Sequence, residues 1–387
     1  RALARVALSQ LLPGAAVQAT YNSERVSGAR FPGGESGFNF ELWSAGIDVL
    51  WEIDLFGRLR RAKEAKDAEL EGSEYGLKDA VRIVIGDVVL AYLQLRSSQE
   101  QVRITRENIE SVAKTLELVT ARLEVGKGTE LDSVRIKAQL SAIRAELPIF
   151  MAAAQTAARR LGVLVGAQPT EYLSLVDAPQ SIPQFASPVG LPAPVELLRS
   201  RPDLRVAERN LASANAQVGS AIGELYPQIT FQGSLSVQSP SPDDWTRGAG
   251  TYSILPKIYW APFDNGTLRA QIRAADARSA RALLEYENAV LKALEETENS
   301  IAGFAAQRMK RDELSLSVAA SRRAYELSKI EYTEGARDLL NVLDAERTLL
   351  ANQARFTQSE TELANSLVGI FKALGAGWEG YELVPVG

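Results

Sequence analysis

The sequence of 387 residues contains no cysteine and no histidine. The absence of cysteine excludes disulfides and thiolate chemistry, and the absence of histidine removes the commonest general base and nearly all zinc sites. No uninterrupted apolar run comes near the roughly 20 residues that a membrane-spanning helix needs. Any segment that enters a membrane is therefore expected to do so as β-strands.

The charges are nearly balanced, with 43 Lys and Arg against 48 Asp and Glu. The two signs are interspersed, so the sequence has no basic patch of the kind that nucleic-acid binding requires. It also has no glycine-rich loop that could hold a phosphate. We therefore expect no enzyme activity, no catalytic residues, no cofactor, no metal site and no nucleic-acid partner.

A seven-residue apolar repeat runs through a long helical pattern. Its positions are Val81, Val88, Leu95, Val102, Ile109, Leu116 and Leu123, and the positions three residues later carry no charge. A strict heptad over this length predicts a left-handed coiled coil. The segment 58–125 has no proline, and a helix of that length would be roughly 100 Å long.

The second half of the sequence matches the first half at a constant spacing, which predicts an internal duplication. Pairs separated by 209 residues include Trp51 and Trp260, Gly57 and Gly266, Gly126 and Gly335, and Leu131 and Leu340. Upstream the spacing is 214, as for Pro13 and Pro227, so one loop differs by five residues. The second long helix has a poorer heptad, which Arg311 interrupts.

Each repeat begins with two short segments that alternate between apolar and polar residues, which predicts four strands in all. Four strands cannot close a membrane barrel, because the smallest barrels have about eight and open edges leave backbone groups unpaired. Closure would need further copies of the chain. The alternative is a small sheet, outside any membrane, that caps a helical rod.

Two tryptophans and three charges favour the barrel. Trp51 and Trp260 occupy matching positions on the apolar face, as expected for a lipid-facing aromatic belt. Asp48, Glu52 and Lys257 lie on the opposite face, where they would line a water-filled lumen.

The most specific motif is RPDLRVAERNLASANAQVGSAIGELYPQI, from Arg201 to Ile229. Together with DLFGRLRRA, LLNVLDAERTLL and LVGIFKALGAGWE, it resembles the outer-membrane factor family, the TolC-like channels, and in particular their lipoprotein branch. The resemblance covers essentially the whole chain in order.

The resemblance implies a mainly α-helical fold with a β-barrel portion. Three copies would form a 12-stranded outer-membrane β-barrel continuous with a 12-helix coiled-coil periplasmic α-barrel, each protomer supplying four strands and two long helical hairpins. Residues 13–57 and 226–266 would form barrel strands and extracellular loops, and residues 58–147, 202–225 and 267–354 the helical tunnel. Residues 148–201 and 355–387 would form an equatorial region.

Residues 1–12 align with the end of the helix that precedes repeat two, so we expect them to be the remnant of a helix before the first strand. They carry no signal peptide. The resemblance implies a preceding segment with an acylated cysteine, which would anchor the protein in the outer membrane of a Gram-negative bacterium.

The implied function is that of a passive exit duct in a tripartite efflux system. The partners would be two further copies in a homotrimer, a periplasmic adaptor (membrane fusion) protein, an inner-membrane pump and outer-membrane lipid. Small molecules such as antibiotics would pass to the exterior. The alternative is a periplasmic coiled-coil scaffold without a pore.

By motif match, Leu340 and Asp344 would lie at a periplasmic gate, sharing one helix face at a spacing of four residues. Three copies of Asp344 would form a ring of like charge. Asp344 could instead pair with Arg347 or with a neighbouring lysine on a solvated helix. Arg337 and Tyr332 would be links that hold the gate closed, although an arginine at a helix end often only binds carbonyls.

The hairpin tips would dock the adaptor, through Val125 and Gly126 in the first repeat and Gly335 and Ala336 in the second. Small residues at a tip would let another helix approach closely. The same residues are also those of an ordinary helix-ending turn.

Overall fold

The computed structural model describes residues 1–27, 37–183, 201–241, 243, 245 and 249–377. The elements are, in chain order, α1 (Ala2–Ser9), β1 (Gly14–Val26), β2 (Phe38–Ile53), α2 (Arg58–Glu124), α3 (Glu130–Leu164), a short 3₁₀ helix (Glu171–Val176), α4 (Pro202–Gly223), β3 (Gln228–Ser239), β4 (Gly250–Tyr259), α5 (Asn265–Thr333) and α6 (Leu339–Ala373).

The duplication is confirmed by the helix boundaries. α3 and α6 each have 35 residues, and both of their ends are separated by the 209 residues found in the sequence. α2 and α5 end at Glu124 and Thr333, again 209 residues apart. Each repeat therefore places one helix–turn–helix hairpin after its two strands.

A glycine with positive φ ends each of these four helices. The φ angles are 69° at Gly126, 77° at Gly166, 80° at Gly335 and 73° at Gly375. At Gly126, the glycine N–H donates to Leu123 and the next N–H donates to Arg122, which is the Schellman pattern. The other three glycines make the same pair of bonds, so the two repeats end their helices in the same way.

The chain divides into two compact units, of which the first comprises Arg1–Gly76 and Asp203–Ala289. It contains an antiparallel sheet in the order β1-β2-β3-β4. One face of this sheet is apolar, with Trp51 opposite Phe231 and Ile47 opposite Leu235. On the other face, hydroxyls pair across strands, as between Ser234 and Ser253 at 2.7 Å.

The second unit comprises Leu77–Pro202 and Val290–Gly387. Its heptad interpretation is confirmed, because five of the six residues at the second heptad position are buried: Ala91, Ser98, Thr105, Val112 and Val119. Near the hairpin tips, Val112 and Val119 pack with Ile136, Leu140, Tyr332, Leu339 and Val342 in one apolar cluster.

Two local predictions differ from the structure. The sequence predicts that Pro148 ends or kinks the returning helix, but α3 does not end there and continues to Leu164. The sequence also predicts a loop over residues 22–39, which are rich in Gly, Ser and charge, but the β1–β2 pairing continues from Asn22 opposite Leu42 to Val26 opposite Phe38. Residues 28–36 of that predicted loop lie outside the described residues. Strands pair through main-chain N–H and C=O groups, so polar side chains do not prevent the pairing. The strands β1 and β2 therefore extend into the segment predicted to be a loop.

The segments predicted to form an equatorial region lie partly outside the described residues, at 184–200 and 378–387. The division into barrel, tunnel and equatorial segments stays a prediction. Within the described ranges, none of the helices combines the length and the apolar character that crossing a membrane requires.

Candidate functional site

The hairpin tips are exposed turns. Val125 is 68% exposed, and a Cβ added to Gly126 or Gly335 would meet nothing within 4 Å. Ala336 donates its N–H to the carbonyl of Glu331 at 2.8 Å and thereby completes the second turn. The predicted tip residues are thus helix-ending turns, and their surfaces are open for contact.

Tyr332 lies inside the apolar cluster near the tips and is only 7% exposed. The cluster draws on both repeats and includes Val119 from α2 and Val342 from α6. The structure therefore places this predicted gate link in the core between the two hairpins.

Arg122, which the sequence did not single out, joins the two hairpins at this point. Its Nη1 and Nη2 donate to the carbonyls of Tyr332 and Thr333 at 3.0 and 3.2 Å, and its Cζ lies 4.4 Å from the centre of the Tyr332 ring. These carbonyls belong to the last turn of α5, where a cation is favoured by the helix dipole. A basic residue in the last turn of α2 would be assigned to the end of its own helix, so no local signal reveals this contact.

Arg337, the second residue predicted to hold the gate closed, forms an ion pair at its own turn. Its Nε lies 2.9 Å from a carboxylate oxygen of Glu331, and both side chains are about half exposed. Glu331 and Arg337 flank the same turn, so the ion pair closes the second tip on itself. Exposed pairs of this kind contribute at most about 1 kcal/mol.

Leu340 and Asp344 are exposed on α6 and line an open groove that also includes Gln139, Ile143 and Glu146 of α3. Asp344 pairs with Arg347 at 2.9 Å, and their side chains are 68% and 80% exposed. Within one protomer, therefore, the carboxylate has the local partner that the sequence left open as an alternative. Both side chains of the pair are largely exposed to solvent.

The three predicted lumen charges lie on the polar face of the sheet. Glu52 and Lys257 both lie opposite Thr230, one on either side, so they share one row across three strands. Glu52 also accepts two bonds from Arg58, at 2.7 and 2.8 Å. Asp48 lies opposite Ser234 on the same face.

Trp51 and Trp260 lie on the apolar face and have a second role that the sequence did not predict. The indole N–H of Trp51 donates to the carbonyl of Leu11, and that of Trp260 to the carbonyl of Leu225, each at 3.1 Å. Leu11 and Leu225 are separated by 214 residues, so both repeats fix the turn before their first strand by the same bond.

Several known proteins are similar to this chain. The family model described as outer membrane efflux protein matches residues 1–167 and 193–376. The toluene efflux pump outer membrane protein TtgF of Pseudomonas putida is 30% identical over 100% of this chain and 80% of its own length. The pyoverdine export outer membrane protein OpmQ of Pseudomonas aeruginosa is 33% identical over 88% of this chain and 71% of its own length.

The fold agrees with these relatives. The outer-membrane channel OprN superposes with a TM-score of 0.92 and 36% identity, over 98% of this chain and 84% of its own. Such channels are trimers that combine an α-barrel with a β-barrel, and this protomer has the matching four strands and duplicated hairpins. A scaffold without a pore is not favoured by any of these similarities. The chain therefore belongs to the outer membrane efflux protein family, as an outer-membrane channel component of an efflux pump.

Proposed function

We propose that three copies of this chain form the exit duct of a tripartite efflux system, receiving small molecules from an inner-membrane pump through a periplasmic adaptor. The open sheet is the observation that carries this proposal. Among the described residues, β1 and β4 each pair with a strand on one side only. Three such sheets would pair their edges and close a barrel of twelve strands, which leaves no backbone group unpaired in lipid.

The apolar face of the sheet fits a bilayer in height. Trp43 and Trp51 are eight residues apart on β2, and strands rise about 3.3 Å per residue, so the two rings are separated by about 26 Å along the strand. Tyr252 and Trp260 repeat this spacing in the second half of the chain. The apolar band of an outer-membrane barrel is about 25 Å high between two aromatic girdles. Trp51 and Trp260 would form the girdle nearer the helices.

Exposed apolar side chains on α5 would form the contacts between copies of the chain. α5 exposes Leu284, Leu291, Met309 and Leu316, each at least 64% accessible in one protomer. Leu284 and Leu291, like Met309 and Leu316, are one heptad apart, which is the spacing that packs against another helix of a coiled coil. A second copy would cover these side chains and continue the tunnel wall.

The gate would lie near the hairpin tips. Leu340 and Asp344 are exposed and face away from the apolar cluster, so three copies could bring them together around the threefold axis. Arg122 and Tyr332 would hold the two hairpins of each protomer together, and Arg337 would stiffen the second tip. The adaptor would contact the exposed turns at Val125, Gly126, Gly335 and Ala336.

The charges and hydroxyl groups on the polar face of the sheet, which would line the lumen, indicate the substrate class. Asp48, Glu52 and Lys257 carry both signs, and hydroxyl pairs line the rest of the same face. A wide polar duct of this kind discriminates weakly. One relative is named for toluene and another for pyoverdine, which are chemically unlike. We therefore infer that the pump selects the substrate, and that the duct conducts small organic molecules in general.

Assembly and conduction can be tested together. The protein purified in detergent is expected to have the mass of a trimer and to form discrete conductance steps in a planar bilayer. A monomer that never conducts would contradict the proposal. For the docking surface, Val125→Glu is expected to weaken adaptor binding severalfold, whereas Val163→Glu, at an exposed valine near the opposite end of α3, should leave binding unchanged.

A further inference from the structure

A polar layer crosses the helices of both hairpins, next to the apolar cluster at the tips. Its members are Ser111 and Thr115 of α2, Gln139 of α3, Tyr325 of α5 and Glu346 of α6. The Tyr325 hydroxyl lies 3.2 Å from the Ser111 hydroxyl, and Gln139 donates its amide N–H to Oε2 of Glu346 at 3.2 Å. Each of the four helices thus contributes a polar group.

Glu346 is the unusual member of this layer, because it is an acid that is only 2% exposed. Its second carboxyl oxygen, Oε1, is buried and has no hydrogen-bond partner among the described residues. A buried acceptor without a partner costs about 1–3 kcal/mol, and more when it is charged. The neutral, protonated carboxyl is therefore the form that this packing accommodates.

The charges around Glu346 do not compensate for its burial. Of the described titratable groups, Tyr325 and Lys329 of α5 face it, while α2 and α3 present uncharged hydroxyl and amide groups. Burial raises the pKa of Glu346, and the Tyr325 hydroxyl, the Gln139 amide and the Lys329 ammonium offset only part of this effect. Burial likewise raises the pKa of Tyr325, so Tyr325 stays neutral whenever Glu346 titrates.

The location of Glu346 connects it to the gate. Asp344 is two residues away on α6, and two residues turn a helix by about 200°, so Asp344 faces solvent while Glu346 faces the other helices. α6 cannot shift at Asp344 without moving Glu346 in its buried layer. The matching residue of the first repeat, 209 positions earlier, is Lys137, which is exposed, so this arrangement belongs to the second hairpin.

We propose that Glu346 is a proton-binding site that sets how firmly α6 packs against the other three helices, so that acid holds the gate shut and a rising pH loosens it. This proposal rests on the proposed duct function. The sign follows from the buried acid, because the packed state binds the proton more tightly than a loosened, hydrated state does. Stabilisation by the proton is full below the ordinary pKa of 4.5 and is lost as the pH rises through the raised value.

Two variants of the whole trimer test this idea. Glu346→Gln keeps the shape and mimics the neutral acid, so its bilayer conductance should stay low and its melting temperature high from pH 4.5 to 8. The wild-type protein should instead gain conductance severalfold and melt several degrees lower as the pH rises through that range. Tyr325→Phe removes a hydroxyl that lowers the pKa of Glu346, and should move both midpoints to higher pH.

A matched control separates this site from the exposed gate carboxylate. Asp344→Asn should retain the pH dependence of the melting temperature, because Asp344 is solvated in the packed state. If the melting temperature of Glu346→Gln changed with pH as that of the wild-type protein does, the proposal would be overturned. Melting is measured whether or not the protein conducts, so failure of this inference is distinguishable from failure of the duct function.

Discussion

The guanidinium of Arg122 lies over the ring of Tyr332, with Cζ 4.4 Å from the ring centre, and joins the first hairpin to the second. The resemblance to the family points to Tyr332 and Arg337, yet among the described residues the ion pair of Arg337 is with Glu331, at its own turn. Arg122 donates hydrogen bonds that cross between the repeats at the tips.

Arg122→Ala should therefore loosen the tips. It removes two charge-assisted bonds to carbonyls, and each hydrogen bond to a charged group contributes about 1.5–3 kcal/mol. We expect larger single-channel conductance and faster hydrogen exchange at the end of α5. Arg122→Lys should recover only part of the effect, because an ammonium lacks the planar fork. Arg106→Ala, at an exposed arginine of the same helix, should change neither measurement.

Asp344→Ala should raise single-channel conductance, because in the proposed gate it would remove a ring of three carboxylates. It should barely change the melting temperature, since an exposed ion pair contributes at most about 1 kcal/mol. The matched control is Glu326→Ala, which breaks another exposed pair at the same three-residue spacing, with Arg323 at 3.5 Å. An Asp344 variant with wild-type conductance would remove this residue from the gate.

Gly335→Ala should destabilise the second tip, because its φ of 80° is unfavourable for any residue with a Cβ. The left-handed conformation costs about 1–2 kcal/mol for such a residue. Gly303→Ala has the opposite expectation, since Gly303 lies within α5 and an added Cβ would meet nothing within 4 Å. There alanine should stabilise by about 0.5–1 kcal/mol. The measurement is thermal unfolding followed by circular dichroism. Melting temperatures that shift in the same direction in both variants would contradict the conformations assigned to Gly335 and Gly303.

Trp51→Phe and Trp260→Phe should each weaken the junction before a first strand. Each removes one indole N–H bond, worth about 0.5–1.5 kcal/mol, while keeping an aromatic ring on the apolar face of the sheet. Trp43→Phe is the control, because the ring of Trp43 packs against Tyr21 at 4.4 Å and phenylalanine preserves that contact. Resistance of the trimer to dissociation in detergent is the measurement. If all three variants lost the same resistance to dissociation, the size of the tryptophan side chain, and not its N–H bond, would be what stabilises the trimer.

Much of the fold could be predicted from the sequence because its signals are local and repeated. The heptad predicts the stripe of α2 that contains the buried residues Ala91, Ser98, Thr105, Val112 and Val119, and the 209-residue spacing predicts where α5 and α6 end. Pro148 does not end α3, because a proline within a long helix can be tolerated when tertiary packing holds the helix on both sides.

The site was harder to predict because its contacts join residues far apart in the chain. Arg122 and Tyr332 are 210 residues apart, and nothing near either residue indicates the other. Glu346 lies in a polar stretch, DAER, that is typical of a solvated helix face, and only the packing of four helices buries it. Trp51 was assigned to lipid from its position on the apolar face, and its bond to Leu11 depends on where the preceding helix ends.

The four glycine-terminated helices carry an evolutionary consequence. α3 and α6 have the same number of residues and end at equivalent glycine turns, so the two hairpins of a protomer are matched in the length of their returning helices. In the proposed duct, lengthening or shortening only one hairpin would leave the tips at two different levels around the trimer, and an adaptor would then meet an uneven docking surface. Insertions and deletions in these hairpins should therefore arise in pairs, one in each half.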